Sequence, residues 1–270
     1  LRGAHNVTVA IVGGGVMGEA ILAGALDRGV VAASDVTVVE LIAERREDLA
    51  ARYDVTTAGE AGDALANASL VLLAIKPQEL HSLSGKLASD ALLMSIMAGV
   101  RIASLAELFG HDRIVRVMPN TPATINAGMS VWTATESVDE GQRETVRELL
   151  GAIGQDLYVD DEGKIDMATA LSGSGPAYVF LFIEALIDAG VAIGLTHEEA
   201  EAMTMQTLTG SAAYAQVSEF PPAVLRERVT SKGGTTAAGL AELDRGEFRA
   251  LIEACVRAAC ERSRELGAAQ

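Results

Sequence analysis

The sequence predicts an α/β fold, a Rossmann-type doubly wound sheet followed by an all-helical second half, and three observations carry that prediction. From residue 7 to about residue 159, short β-branched runs alternate with helical segments, the pattern of a parallel sheet covered on both faces. From Asp166 onward the strand signal stops, and every apolar segment has helical length and spacing. Between the first run and the first helical segment lies Gly13-Gly14-Gly15-Val16-Met17-Gly18, a G-x-G-x-x-G in the strand-turn-helix context that gives the motif its meaning. The expected division is therefore residues 1–162 for the sheet domain and 163–270 for the helical one.

Strands are expected at residues 7–12, 36–39, 70–74, 92–97, 113–118 and 129–133. After the first, Gly13 makes the tight turn, Gly15 admits a pyrophosphate and Gly18 lets the helix pack on the strand, while the helix start at Val16 and Met17 faces the phosphates. Glu40 closes the second run, placed to accept from an adenosine ribose 2′-OH and to repel a 2′-phosphate, which favours NADH over NADPH. Arg45 and Arg46 leave the alternative open, since they either swing to a 2′-phosphate or form a solvated face with Glu44 and Glu47. The next run ends at Ala74-Ile75-Lys76-Pro77, where Pro77 stops the strand and Lys76 meets cofactor oxygens. The run after it ends in Ala98-Gly99, small enough for a flat nicotinamide to lie close to backbone. Residues 113–118 lead into Pro119-Asn120-Thr121-Pro122, where Asn120 offers an amide donor and acceptor.

In the second half, Ser172-Gly173-Ser174-Gly175-Pro176 is expected to be a turn with capping serines ahead of a helix from 176 to about 194. That helix is apolar on nearly every face, which suits a dimer core, with a central helix of a monomeric bundle as the alternative. Thr196-His197-Glu198-Glu199 reads as a capping box. Further on, Thr230-Ser231-Lys232-Gly233-Gly234-Thr235-Thr236 joins hydroxyls to two glycines directly before a helical segment. Backbone at Gly233 and Gly234 approaches a ligand closely and the helix aims its unpaired N–H groups into the loop, which makes a carboxylate cradle; the bland alternative is a tight turn with a helix cap.

The formal net charge of -16 and the absence of any Lys/Arg run disfavour nucleic acid and favour a small-molecule ligand. Cys255 and Cys260 are five apart with helical periodicity, so they diverge too far for a disulfide, and without metal-ligand company they read as thiols in a reducing, cytoplasmic compartment. No metal site is expected. Residues 1–6 hold no long apolar run, and the most apolar helix carries Glu184 and Asp188, so no membrane partner is expected.

The strings Gly13-x-Gly15-x-x-Gly18, Ala74-Ile-Lys-Pro77, Met97-Ala-Gly-Val100, Met118-Pro-Asn-Thr-Pro122, Asp166-Met-Ala-Thr-Ala-Leu-Ser-Gly-Ser-Gly-Pro-Ala-Tyr178 and Val229-Thr-Ser-Lys-Gly-Gly-Thr-Thr236 occur in an order that resembles the pyrroline-5-carboxylate reductase family over nearly the whole chain. The resemblance implies reduction of L-1-pyrroline-5-carboxylate to L-proline with NADPH or NADH, the last step of proline biosynthesis. It also implies a C-terminal domain that interlocks with its twin in a homodimer, with higher assembly left open. Carried over, it puts Ser231, Gly233, Gly234, Thr235 and Thr236 around the substrate, with the Thr236 hydroxyl nearest the imine as the catalytic group. The family often has proline where Lys232 stands, and an asparagine near the adenosine pocket is replaced around Ala61.

A cyclic imine needs a hydride donor and a proton source at nitrogen, not a base that ionises an alcohol. That agrees with the placing of His5, His81, His111 and His197 outside every glycine motif. The competing readings are a related imine or 3-hydroxyacid reductase, which would need an acid/base group where residues 178–194 offer only Glu184 and Asp188, and a non-catalytic dinucleotide sensor, which would not need the hydroxyls of the late loop.

Overall fold

A computed structural model describes residues 7–268; His5, discussed above, lies outside the described residues. They form two compact units, one of residues up to Ser174 together with residues from Ala259, the other Gly175–Ala258.

The first unit is built on one eight-stranded sheet. Its elements follow in chain order: β1 (Val9–Val12), α1 (Val16–Asp27), β2 (Val36–Val39), α2 (Ala43–Tyr53), β3 (Thr56–Ala58), α3 (Gly62–Asn67), β4 (Leu70–Leu73), β5 (Leu92–Ser95), α4 (Ile102–Phe109), β6 (Ile114–Met118), β7 (Gly128–Ala134), α5 (Glu140–Ala152), β8 (Gly154–Tyr158) and α6 (Gly163–Ala168). The spatial order is β3-β2-β1-β4-β5-β6-β7-β8. The chain reverses its direction of travel across the sheet between β1 and β4, which pair in parallel with Val12 opposite Leu73. The carboxyl ends of those two strands therefore flank the switch-point crevice of an open α/β sheet.

The doubly wound reading holds, and alternate residues feed two cores as strand geometry requires. On β1, Val9 and Ile11 pack with Ile21, Leu49, Trp132 and Leu150 on one face, and Ala10 and Val12 pack with Leu65, Met97, Val100 and Leu105 on the other. The sheet is not wholly parallel, however, because β7 runs antiparallel to β6, Trp132 facing Val117. Two strands lie outside those the sequence predicts. β3 is a short Thr-Thr-Ala segment with no apolar alternation, and β8 is an edge strand whose Gly-Gln-Asp-Leu-Tyr pattern is mostly polar. The expected strand ends at Ala74 and at 96–97 are loop residues, so the functional turns begin earlier than the β-branched runs suggest.

The expected turn before the long helix is a correction. Residues Thr169–Gly173 form a π-turn that joins α6 to the following helix, with Ser174 N–H donating to the Thr169 carbonyl at 2.8 Å. Ser172 does not cap; its hydroxyl donates back to the Ala168 carbonyl at 3.1 Å.

The second unit comprises α7 (Gly175–Ala192), α8 (His197–Val217), α9 (Pro222–Arg228), α10 (Thr235–Arg245) and the first part of α11 (Phe248–Ala268). The capping box at the start of α8 is formed, Thr196 Oγ1 accepting from Glu199 N–H at 3.2 Å and Glu199 Oε2 from Thr196 N–H at 2.8 Å. Of α7 only Ile187 is buried, while Val179, Phe180, Leu181, Leu186 and Val191 are exposed. The run 163–192 is long and apolar enough to cross a membrane by length and composition, and Glu184 and Asp188 stand on it.

Candidate active site

At the switch point the glycines are required by space as well as by conformation. Gly13 has φ +106°, and a Cβ there would lie 2.6 Å from the Ala74 carbonyl oxygen, so the end of β1 presses against the end of β4. A Cβ on Gly18 would come within 2.1 Å of the Gly13 oxygen, which closes the turn beneath α1. Gly15 differs: a Cβ there would meet nothing within 4 Å. Gly15 is the N-cap of α1 and no side chain caps that helix, so the amides around Val16 and Met17 are left for an anion in that open space. The residues present thus fit a dinucleotide pyrophosphate.

Glu40 sits against this loop. Its Oε2 accepts from Gly14 N–H and its Oε1 from Ile42 N–H, both at 3.0 Å, so one carboxylate ties the glycine loop to the turn after β2. The Gly14 contact has no signature in the sequence, because a single acceptor across 26 positions leaves no periodic signal.

The two arginines are pinned. Arg45 donates to the Gly14 carbonyl at 2.9 Å and pairs with Glu19 and Asp48, not with Glu44 or Glu47, and Arg46 donates to the carbonyls of Glu40 and Leu41 at 2.7 and 2.9 Å. Burial pushes the Glu19 carboxyl upward, but hydrogen bonds from Arg45 and Tyr53 and the charges of Arg45 and Arg52 outweigh it and hold the group below its usual value.

Glu40→Ala is expected to weaken both cofactors, since two amides lose their acceptor, and to weaken NADH more than NADPH by about 1–3 kcal/mol. Fluorescence titration with each dinucleotide checks this; equal effects would show that Glu40 serves the loop alone.

The other strand ends gather at the same edge of the sheet. Lys76 is exposed; its N–H donates to Glu79 Oε2 at 3.2 Å, and Pro77 opens a short 3₁₀ helix instead of simply ending the strand. Past Ala98, Gly99 adopts φ +77°. Asn120 has its amide occupied on both sides, Nδ2 donating to the Ser172 carbonyl at 3.1 Å and Oδ1 accepting from Met129 N–H at 2.8 Å. That side chain clips the strand-end loop to the π-turn, a role its sequence context did not disclose.

In the helical unit the late loop is compact. Gly233 adopts φ +73°, Gly234 N–H donates to the Ser231 carbonyl at 3.0 Å, and a Cβ on Gly234 would lie 2.4 Å from Ser231 Oγ. Gly234 is the N-cap of α10 with no side-chain cap, and the helix starts at Thr235, two residues earlier than its apolar pattern. The side chains of Ser231, Thr235 and Thr236 make no hydrogen bond to the described residues, and all three residues are exposed. Three hydroxyls and an uncapped helix start make an acceptor-seeking site that suits a carboxylate.

Among the described residues no cluster of His, Cys, Asp and Glu could hold a metal. His111 Nε2 lies 2.6 Å from the Ala91 carbonyl, and His197 lies 4.0 Å from Glu201 one helical turn on; neither stands in a glycine loop.

Comparison with known proteins agrees with both halves. Residues 162–266 match the family described as pyrroline-5-carboxylate reductase dimerisation, and residues 8–99 match the family described as NADP oxidoreductase, coenzyme F420-dependent. The chain is 40% identical over 263 residues to pyrroline-5-carboxylate reductase of Pseudomonas aeruginosa, covering 96% of each protein. It is 38% identical to that of Arabidopsis thaliana, covering 97% of this chain and 96% of the relative. Among solved structures, the pyrroline carboxylate reductase of Plasmodium falciparum with NADP bound superimposes with a TM-score of 0.87 at 30% identity, over 98% of this chain and all of that one. The enzyme from Coxiella burnetii gives 0.88 at 34%, over 97% and 99%. A reductive aminase of Aspergillus terreus, at 19% identity and a TM-score of 0.62 over 97% of this chain and 88% of that one, shares the fold. With more than a third of its residues identical over nearly full length, the chain belongs to the pyrroline-5-carboxylate reductase family.

Proposed function

We propose that this protein reduces L-1-pyrroline-5-carboxylate to L-proline with NADH or NADPH, as the last step of proline biosynthesis in the cytoplasm. The observation that carries the reading is the pairing, in one family member, of a glycine turn open at Gly15 with a second loop whose Ser231, Thr235 and Thr236 hydroxyls have no partner among the described residues. Residues 1–162 take the dinucleotide, through Gly13, Gly15, Val16, Met17, Gly18, Glu40, Lys76, Pro77, Ala98, Gly99 and Asn120. Residues 163–270 take the substrate and a second copy of the chain.

The bound nicotinamide supplies the hydride. Ser231 and the first amides of α10 hold the substrate carboxylate, with Gly233 and Gly234 allowing the backbone close to it. Thr236 donates a hydrogen bond to the ring nitrogen as it becomes an amine. An iminium protonated in water before binding is already electrophilic, so orientation and exclusion of solvent do most of the work and no histidine base is called for.

Oxidation of NADH or NADPH, followed by absorbance, is expected only when the cyclic imine is present; turnover of hydroxy acids without it would overturn the assignment. Thr236→Ala should lower kcat and kcat/KM together by about 5- to 150-fold, the effect of one lost hydrogen bond of roughly 1–3 kcal/mol, with cofactor affinity nearly intact. Ser231→Ala should act chiefly on KM. A Thr236→Ala enzyme with only a raised KM would leave the loop as a carboxylate cradle alone.

The exposed apolar side chains of α7 support a homodimer through the helical unit, in keeping with the dimerisation family matched over 162–266. Light scattering at micromolar concentration should give at least twice the mass of one chain; a folded, active monomer would contradict it.

A further inference from the structure

The loop after β5 is closed into a ring of contacts that reaches from the sheet to the final helix. The ring starts at Gly99, whose carbonyl oxygen would lie 2.9 Å from a Cβ on Gly267 of α11; in return a Cβ on Gly99 would come within 3.2 Å of Leu266 Cβ and 3.4 Å of Gly267 N. One helical turn back on the same face of α11, Ser263 Oγ donates to Asp166 Oδ1 at 3.1 Å, and Ser263 and Gly267 are the buried residues of that helix. Asp166 Oδ1 also accepts from Arg116 at 2.9 Å, and the same guanidinium donates to Glu162 Oε1 at 2.9 Å. Glu162 Oε1 in turn accepts from Ile102 N–H at 2.8 Å, three residues beyond Gly99. Arg116 is 1% exposed, so the centre of the ring is a buried cation held by two carboxylates. Every member lies in the sheet unit, including this last stretch of α11.

We propose that this ring positions the Ala98-Gly99-Val100 loop for the nicotinamide, with Gly267 and Ser263 of the final helix as positioning residues; the inference rests on the assignment of that loop to the cofactor. Gly99 holds a left-handed conformation with no side chain to anchor it, so its carbonyl position depends on what presses on it. Gly267 presses from one side and Glu162 holds the Ile102 amide on the other. The Asp166–Ser263 hydrogen bond fixes the rotation of the helix that carries Gly267. Packing at this density transmits a displacement of one methyl group, because neither backbone can give way without moving the other.

The test is a series at Gly267, with Arg264→Ala on the exposed side of the same turn as control. Gly267→Val should weaken NADH binding by about tenfold, lower kcat, and speed amide hydrogen exchange over residues 99–102 in the cofactor-free protein, and Gly267→Ala should do each to a smaller degree. Arg264→Ala should do none of these. Should Gly267→Val not fold, Ser263→Ala adds no bulk and should still raise the NADH Kd a few-fold. A Gly267→Val or Ser263→Ala protein with a lowered Tm but parental NADH affinity, kcat and exchange at 99–102 would make the ring a stability device and overturn the proposal. Failure of the unmodified protein to reduce the imine sinks the functional assignment instead, and the exchange measurement on cofactor-free protein still tests the ring.

Discussion

Arg116→Met is expected to remove about 3–5 kcal/mol of unfolding free energy, because it leaves Asp166, itself 5% exposed, as a buried carboxylate without its cation. Glu162, a third exposed at its side chain, has water to turn to and contributes less to the loss. Urea unfolding of the parent and variant measures the difference. The double variant Arg116→Met/Asp166→Leu separates the two parts of the cost: an apolar pair of similar volume should recover most of the stability, since the ionic attraction roughly offsets the desolvation of both charges. A single variant within about 0.5 kcal/mol of the parent, the range of ordinary surface substitutions, would mean that the pair is solvated in solution.

Two alanine substitutions in the glycine turn should fail in different ways. Gly18→Ala places a methyl group 2.1 Å from the Gly13 oxygen, which cannot be accommodated without opening the turn, so both Tm and NADH affinity should fall, the latter by about 10- to 100-fold. Gly15→Ala meets nothing within 4 Å, so its Tm should match the parent while NADH affinity falls by a similar factor, because the methyl group fills the space assigned to the pyrophosphate. Calorimetry beside fluorescence titration checks both. A Gly15→Ala protein with full NADH affinity would move the pyrophosphate away from this loop.

Much of this architecture is legible in the sequence where local pattern and global fold agree. The strands β1, β2, β4, β5, β6 and β7 announce themselves because burial on both faces demands short, mostly apolar runs. β3 and β8 do not, since an edge strand is held by its ladder and has little apolar pattern of its own. The antiparallel run of β7 follows from loop length: residues 119–127 between β6 and β7 are too few for the dozen-residue crossover that a parallel neighbour needs. The glycine turn was legible because its spacing is local. The Glu40 bridge to Gly14 and the ring around Gly99 were not, as their hydrogen bonds join residues 26 to 97 positions apart and Gly99 meets Gly267 through backbone packing alone, contacts that leave no periodic trace. Asp166 lies in the run that leads into α7, yet nothing local says that its cation is on β6.

Trp132, the single tryptophan of the chain, is fully buried on β7, donates through Nε1 to Asp156 at 2.8 Å and meets the edge of Tyr158 at 4.9 Å between ring centroids. The sheet unit therefore carries a built-in indole fluorophore, whereas the helical unit has only the weaker tyrosines Tyr178 and Tyr214. Its emission overlaps the absorption band of reduced nicotinamide, so energy transfer from Trp132 reports cofactor occupancy without a label. Melting followed by this emission tracks the sheet, whereas far-ultraviolet dichroism is weighted towards helices, including α7, α8, α10 and α11. Two curves that part company would reveal that the halves of the chain come undone at different temperatures, and coincident curves that they melt as one cooperative body.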